Sequence, residues 1–172
     1  MRSREALALA RKLSHPFTLV GAMGLSSLFH RLRGEGEESL SLYEETLRLA
    51  SEHGFQQFVA VALAGRGLAL IELNRVEEGI AQLRGGLSAL RATGMYQSQT
   101  IYLAELAEGC GKAGRTTEGL EAVAEGLAAA DRTGECMYEA ELYRVKGDLL
   151  MQATSAASNA AAEAESCFRQ AI

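Results

Sequence analysis

The segment Gly109-Cys-Gly-Lys-Ala-Gly114 has the glycines and the lysine of a loop that could hold a phosphate. Such a loop works because backbone N–H groups and a lysine converge on the phosphate oxygens. It needs a glycine five residues before Gly111, a hydroxyl after Lys112 and a strand leading in. Leu106 and Ala113 occupy those positions and the preceding residues read as helix, so no nucleotide is expected there. Gly65-Arg-Gly-Leu-Ala-Leu70 is a fragment of a dinucleotide fingerprint, again inside a helical pattern. His15, His30 and His53 lack metal-ligand spacing and are expected as turn or core residues. Glu44-Glu45 and Glu77-Glu78 are paired carboxylates, but adjacent helix residues project about 100° apart and do not converge as acid and base. Ser26-Ser27 has no base in view. No catalytic residue, cofactor or metal is expected, and the chain reads as a non-enzyme.

Composition narrows the classes further. The net charge of −5 argues against a nucleic-acid partner, whose phosphates demand a basic face. No run of 18 apolar residues occurs, so no membrane span is expected. Cys110, Cys136 and Cys167 are an odd set without CxxC spacing, which points to reduced thiols at small apolar positions and a cytoplasmic setting. The first residues, MRSREALALARKL, have the look of a transit peptide, but an internal repeat accounts for them better.

That repeat has a period of about forty residues. Closing turns recur at Ser14, Gly54, Gly94 and Gly134, and inner turns at Gly34, Asn74 and Gly114. Glycine and asparagine tolerate the left-handed backbone that ends a helix. Acidic residues follow in the next first turn, at Glu37-Glu38, Glu77-Glu78 and Glu118, where they meet the positive end of the helix dipole. Val76, Ile80, Leu83, Leu87 and Leu90 alternate steps of three and four, which keeps them on one buried stripe. The pattern predicts nine helices: 2–13 alone, then 16–33 with 36–52, 55–73 with 76–92, 95–113 with 116–132, and 136–153 with 160–172. The units are a partial repeat 1–14 and repeats 15–54, 55–94, 95–134 and 135–172, within one domain. In the last repeat the bulky residue is Phe168, five places late, which the segment Ala153–Ala161 absorbs as an enlarged turn or frayed helix start. The chain is therefore expected to begin and end inside a repeat, as would a segment cut from a longer array or one whose end packs against something else.

Within each pair, small residues stand twelve apart across the inner turn: Ser27 and Ser39, Gly67 and Gly79, Ala107 and Gly119, with Gly147 and Ala164 separated by five more. Bulky residues follow four later at Tyr43, Leu83, Val123 and Phe168, then small ones at Thr46, Gly86, Gly126 and Ala171. This resembles the tetratricopeptide repeat signature. The resemblance implies an all-α fold, an α-α superhelix of antiparallel pairs joined where small residues meet. Here the period is forty rather than thirty-four, the early Trp is absent, and Ser51, Arg91 and Asp131 replace the late Pro. RGLALIELNRVEEGIAQLRGGLSALRATG is also similar to the repeat region of large bacterial signalling ATPases, including LuxR-type activators and nucleotidyl cyclase-linked proteins. That similarity implies a role in sensing or partner binding.

In solenoids of this kind the first helices line the concave side. The register sets Gly21, Val61, Ile101 and Glu141 in one row and Gly24, Ala64, Ala104 and Arg144 in the next. Leu28, Leu68, Glu108 and Asp148 form a third row, and Arg31, Ile71, Gly111 and Met151 a fourth. Val61, Leu68, Ile71 and Ile101 make the middle apolar, while Glu105, Glu108, Arg144 and Asp148 charge the C-terminal part. An apolar groove rimmed by charge marks a protein or peptide partner; tight packing of the array would bury it instead. The expected function is a non-catalytic interaction scaffold, with self-association as a homodimer the first alternative and a small-molecule sensor the second. Glu at Leu68 and Ile71 is expected to abolish partner capture while leaving helicity intact. Gly79→Leu is expected to overpack two helices.

Overall fold

The computed structural model describes residues 2–95, 99–153 and 158–172. Over them the chain is all-α, a forty-residue repeat of antiparallel helix pairs. The helices are α1 (Arg2–Leu13), α2 (Pro16–Leu32), α3 (Gly36–Glu52), α4 (Gln56–Glu72), α5 (Val76–Ala92), α6 (Gln99–Lys112), α7 (Thr116–Thr133), α8 (Glu139–Ala153) and α9 (Ser158–Gln170). They form two compact units, Met1–Met95 and Tyr96–Ile172. The division falls one residue beyond the repeat boundary placed at Gly94.

The expected turns are where the backbone turns left-handed. Positive φ occurs at Ser14 (50°), Gly34 (73°), Gly54 (71°), Asn74 (61°), Gly94 (74°), Gly114 (71°) and Gly134 (72°), and at no other described residue. Each stands twenty after the last. At five of them the following N–H reaches back to a carbonyl of the finished helix: Glu35 to His30 (2.9 Å), Phe55 to Ala50 (2.9 Å), Arg75 to Leu70 (2.9 Å), Met95 to Leu90 (3.0 Å) and Arg115 to Cys110 (2.8 Å). This bond satisfies a carbonyl that the helix end would otherwise leave without a partner. Pro16 opens α2, its fixed φ suiting a first helical residue, and the His15 side chain accepts the Thr18 N–H at 3.3 Å.

In the first unit α1 packs on α2, α2 on α3 and α4, and α4 on α3 and α5. Its core includes Val20, Met23, Leu40, Tyr43, Leu70, Ile80, Leu83 and Leu90. In the second unit α6 packs on α7 and α8, and α8 on α7 and α9, around Leu103, Val123, Leu142, Val145 and Leu149. The small residues twelve apart mark close approaches within a pair. The Ser39 hydroxyl donates to the Ser27 carbonyl at 2.9 Å, tying α3 to α2. A Cβ on Gly119 would stand 3.1 Å from the Ala107 oxygen, and one on Gly86 2.6 Å from Ala64 Cα. Gly67, Gly79 and Gly86 stand where two backbones meet.

Some boundaries differ from expectation. α8 begins at Glu139 rather than 136, after Gly134 ends α7 and a further turn intervenes. Residues 96–98, expected in α6, and 154–157, expected as an enlarged turn, lie outside the described residues. The last helix begins at Ser158, two residues before the expected 160. Cys110 and Cys167 are buried, but Cys136 is exposed beside Gly134, and none of the three is in a disulfide.

Candidate functional site

The ten residues expected to face a partner fall into three environments. Leu68 and Ile71, at 3% and 5% exposure, are core residues of α4 and are closed to any partner. The reason is the close pairing of α4 with α5: Ile71 fills the space beside Gly79, where a Cβ would stand 2.6 Å from its Cγ1. Glu at these two positions would bury charge and unfold the unit rather than probe binding. Arg31 is also buried, at 8%, and its Nη1 donates to Glu72 Oε1 at 2.9 Å, an ion pair between α2 and α4. Val61 is half-buried, and Leu28 is exposed at 36%.

In the second unit the charged residues converge. Arg144 of α8 donates through Nε and Nη2 to Glu141 (2.9 and 2.6 Å), through Nη1 to Asp148 (2.5 Å), and through Nη2 to Glu108 of α6 (3.5 Å). Lys112 adds a bridge to Glu108 at 3.0 Å. Glu108, Lys112, Arg144 and Asp148 line a pocket of about 400 Å³ between α6 and α8, whose other walls include Met151 and Gln152. The hydrogen bond to Glu141, then the surrounding carboxylates, hold the Arg144 guanidinium well above its ordinary value. Lys146 is likewise raised, first by its hydrogen bond to Glu163. Both shifts move away from neutrality, whereas an acid or base at work near pH 7 is tuned toward it. Glu105 and Ile101 sit half-buried on α6.

One feature of the first unit escaped the sequence reading, and a second was read only at Leu28. Phe17 packs edge-to-face on Phe55 and Phe58, with centroids 5.4 and 5.1 Å apart, and His53 stacks on Phe55 at 5.6 Å. Beyond it, α2 exposes Leu25 (61%), Leu28 (36%), Phe29 (51%) and Leu32 (66%). The spacing i, i+3, i+4, i+7 places them on one stripe. A column comparison would have found it, because the forty-residue equivalents of Leu25 and Phe29 are Gly65 and Ala69 in α4.

No family model matches the chain. An uncharacterized protein of Rhizobium meliloti (strain 1021) is 24% identical over 147 residues, 86% of this chain. The chain spans only 14% of that relative's length. No helix of the described residues is long and apolar enough to cross a membrane.

Proposed function

We propose that this chain is a non-catalytic, tetratricopeptide-like scaffold of the cytoplasm that binds a protein or peptide segment, as a component of a signalling or transcriptional regulator. The observation that carries this reading is the α2 stripe. Four large apolar side chains at helical spacing stand open to solvent, and a patch of that kind on a folded surface marks an interaction site. The pocket around Arg144 supplies a separate polar surface, but its guanidinium already holds three carboxylates, so the apolar stripe supplies the binding energy.

The test is co-purification from the source cell, followed by quantitative titration of each recovered protein against wild-type chain and Leu28→Glu/Leu32→Glu. Both side chains are exposed, so the variant should keep its helicity by circular dichroism. A loss of tenfold or more in affinity is expected. Equal affinity for both chains, or recovery of no protein that binds, overturns the proposal.

A further inference from the structure

Some positions stay at the surface in every repeat, so their exposure does not depend on which helices flank them. The forty-residue equivalents of Leu13 are His53, Thr93 and Thr133, and those of Phe17 include Gln57 and Met137. His53, Gln57, Thr133 and Met137 are exposed and Thr93 is half-buried. Leu13 and Phe17 set large apolar side chains at these surface positions, and both are more than half exposed. Phe17 has company there. Its ring meets Phe55 and Phe58 edge-to-face, and His53 stacks on Phe55. The closing turns at Ser14 and Gly54 thus adjoin at one edge of the first unit.

Phe17, Phe55, Gln56, Gln57 and Phe58 line a pocket of about 230 Å³ at that edge. Sites for free small molecules run to roughly 300–1,000 Å³, so this one suits a single large apolar side chain. The exposed amides of Gln56 and Gln57 can donate to and accept from an extended backbone beside it. The charge at the edge selects the sign of the visitor. Residues 1–34 hold six Lys and Arg against one Glu, in a chain whose net charge is −5. Arg11, Lys12 and His15 lead through the Ser14 turn into Phe17, and Lys12, His15 and His53 are exposed. Glu52, the acidic neighbour of His53, is held by Arg48 at 2.6 Å. We infer that this edge docks a short acidic segment of a partner protein. One large apolar side chain of the segment enters the pocket, and its carboxylates face Lys12 and the two histidines. The inference rests on the scaffold reading for the class of partner, and not on the α2 stripe.

The probe is a fluorescein-labelled peptide of alternating Glu and Asp around one central Phe, titrated against the full chain by anisotropy at low salt. One control peptide replaces the Phe by Ser, and another replaces every acid by its amide. Each control is expected to bind about tenfold or more weakly. Phe17→Ser should lose about tenfold for the acidic Phe peptide, with circular dichroism as the folding check. Gln57→Glu, an exposed change at the pocket wall, should lose as much with all the rings in place, and it decides the matter if Phe17→Ser does not fold. Leu28→Glu/Leu32→Glu should bind the peptide as wild type does; a loss there too would place the peptide on the stripe and overturn the inference. Equal affinity for the probe and either control, no binding of the probe, or binding indifferent to Phe17 and Gln57 overturns it as well. So does co-sedimentation with phosphatidylglycerol vesicles that Phe17→Ser abolishes, which would assign the edge to a lipid surface. Each of these results leaves the scaffold reading standing, which falls on its own test when no recovered protein binds.

Discussion

Gly67 and Gly79 face each other across α4 and α5 with no room for a methyl group on either. A Cβ on Gly67 would stand 2.9 Å from the Gly79 carbonyl oxygen, and one on Gly79 2.7 Å from that of Gly67. Backbone atoms at that distance cannot move aside as a flexible side chain could. Gly85, on the exposed side of α5, has nothing within 4 Å of its own Cβ position.

Gly79 and Gly85 of α5 therefore respond oppositely to alanine. Gly85→Ala should stabilise by about 0.5–1 kcal/mol, the ordinary helix preference for alanine. Gly79→Ala gains the same preference but forces the helices apart, and should destabilise by about 1–3 kcal/mol net. Urea unfolding of both variants checks this; a stabilised Gly79→Ala would disprove the register.

Ser14 and Asn74 are the two non-glycine residues with positive φ among those described. The left-handed conformation costs most residues about 1–2 kcal/mol, and asparagine less. Ser14→Gly should raise stability by up to about 1 kcal/mol, and Asn74→Ala should lower it by about 1 kcal/mol. Thermal melts of the two chains should shift in opposite directions.

The Arg31–Glu72 pair is lopsided, with side-chain exposures of 7% and 33%. Removing the Glu72 charge leaves a buried guanidinium less well neutralised, whereas removing Arg31 leaves a carboxylate that water reaches. Glu72→Gln should cost about 1–3 kcal/mol and Arg31→Met less, since weakening the neutralisation of a buried charge is the larger penalty. Equal costs in chemical unfolding would contradict this.

Lys146 Nζ reaches Glu163 Oε1 at 3.1 Å and ties α8 to α9. Its folded pKa is raised above the ordinary 10.5, so the pair's contribution is complete below that pH. It is lost as pH climbs through the raised value. The pair is partly exposed and worth about 0.2–1 kcal/mol. Wild type should therefore exceed Lys146→Met in melting temperature at pH 9, and the gap should close at strongly alkaline pH. A gap that persists there would show that lost packing, not charge, separates the two.

The turns were the most legible feature. Gly34, Gly54, Gly94, Gly114 and Gly134 were readable because few residues tolerate their backbone, and Asn74 is one of the few. The pairs Gly67/Gly79 and Ala107/Gly119 were readable because close approach selects small side chains. The candidate surface was less so. Periodicity tells which residues share a face, but α4 is buried on several faces at once, including Ala62, Gly67, Leu68 and Ile71. No pattern within one helix reveals whether a neighbour covers its face. The α2 stripe has the opposite cause: Leu25 and Phe29 look like core residues until set beside Gly65 and Ala69.

The uniform spacing of the left-handed turns bears on how such a chain can change its length. Gly54 and Gly94 have nearly the same φ, 71° and 74°, and close their helices with matching bonds, Phe55 to Ala50 and Met95 to Leu90. A genetic crossover joining Gly54 to Met95 would excise one helix pair and leave at the seam a turn of the geometry already present. Recombination at these sites can thus add or drop forty-residue units without inventing a new loop, and the number of repeats becomes a heritable variable separate from the fold of each.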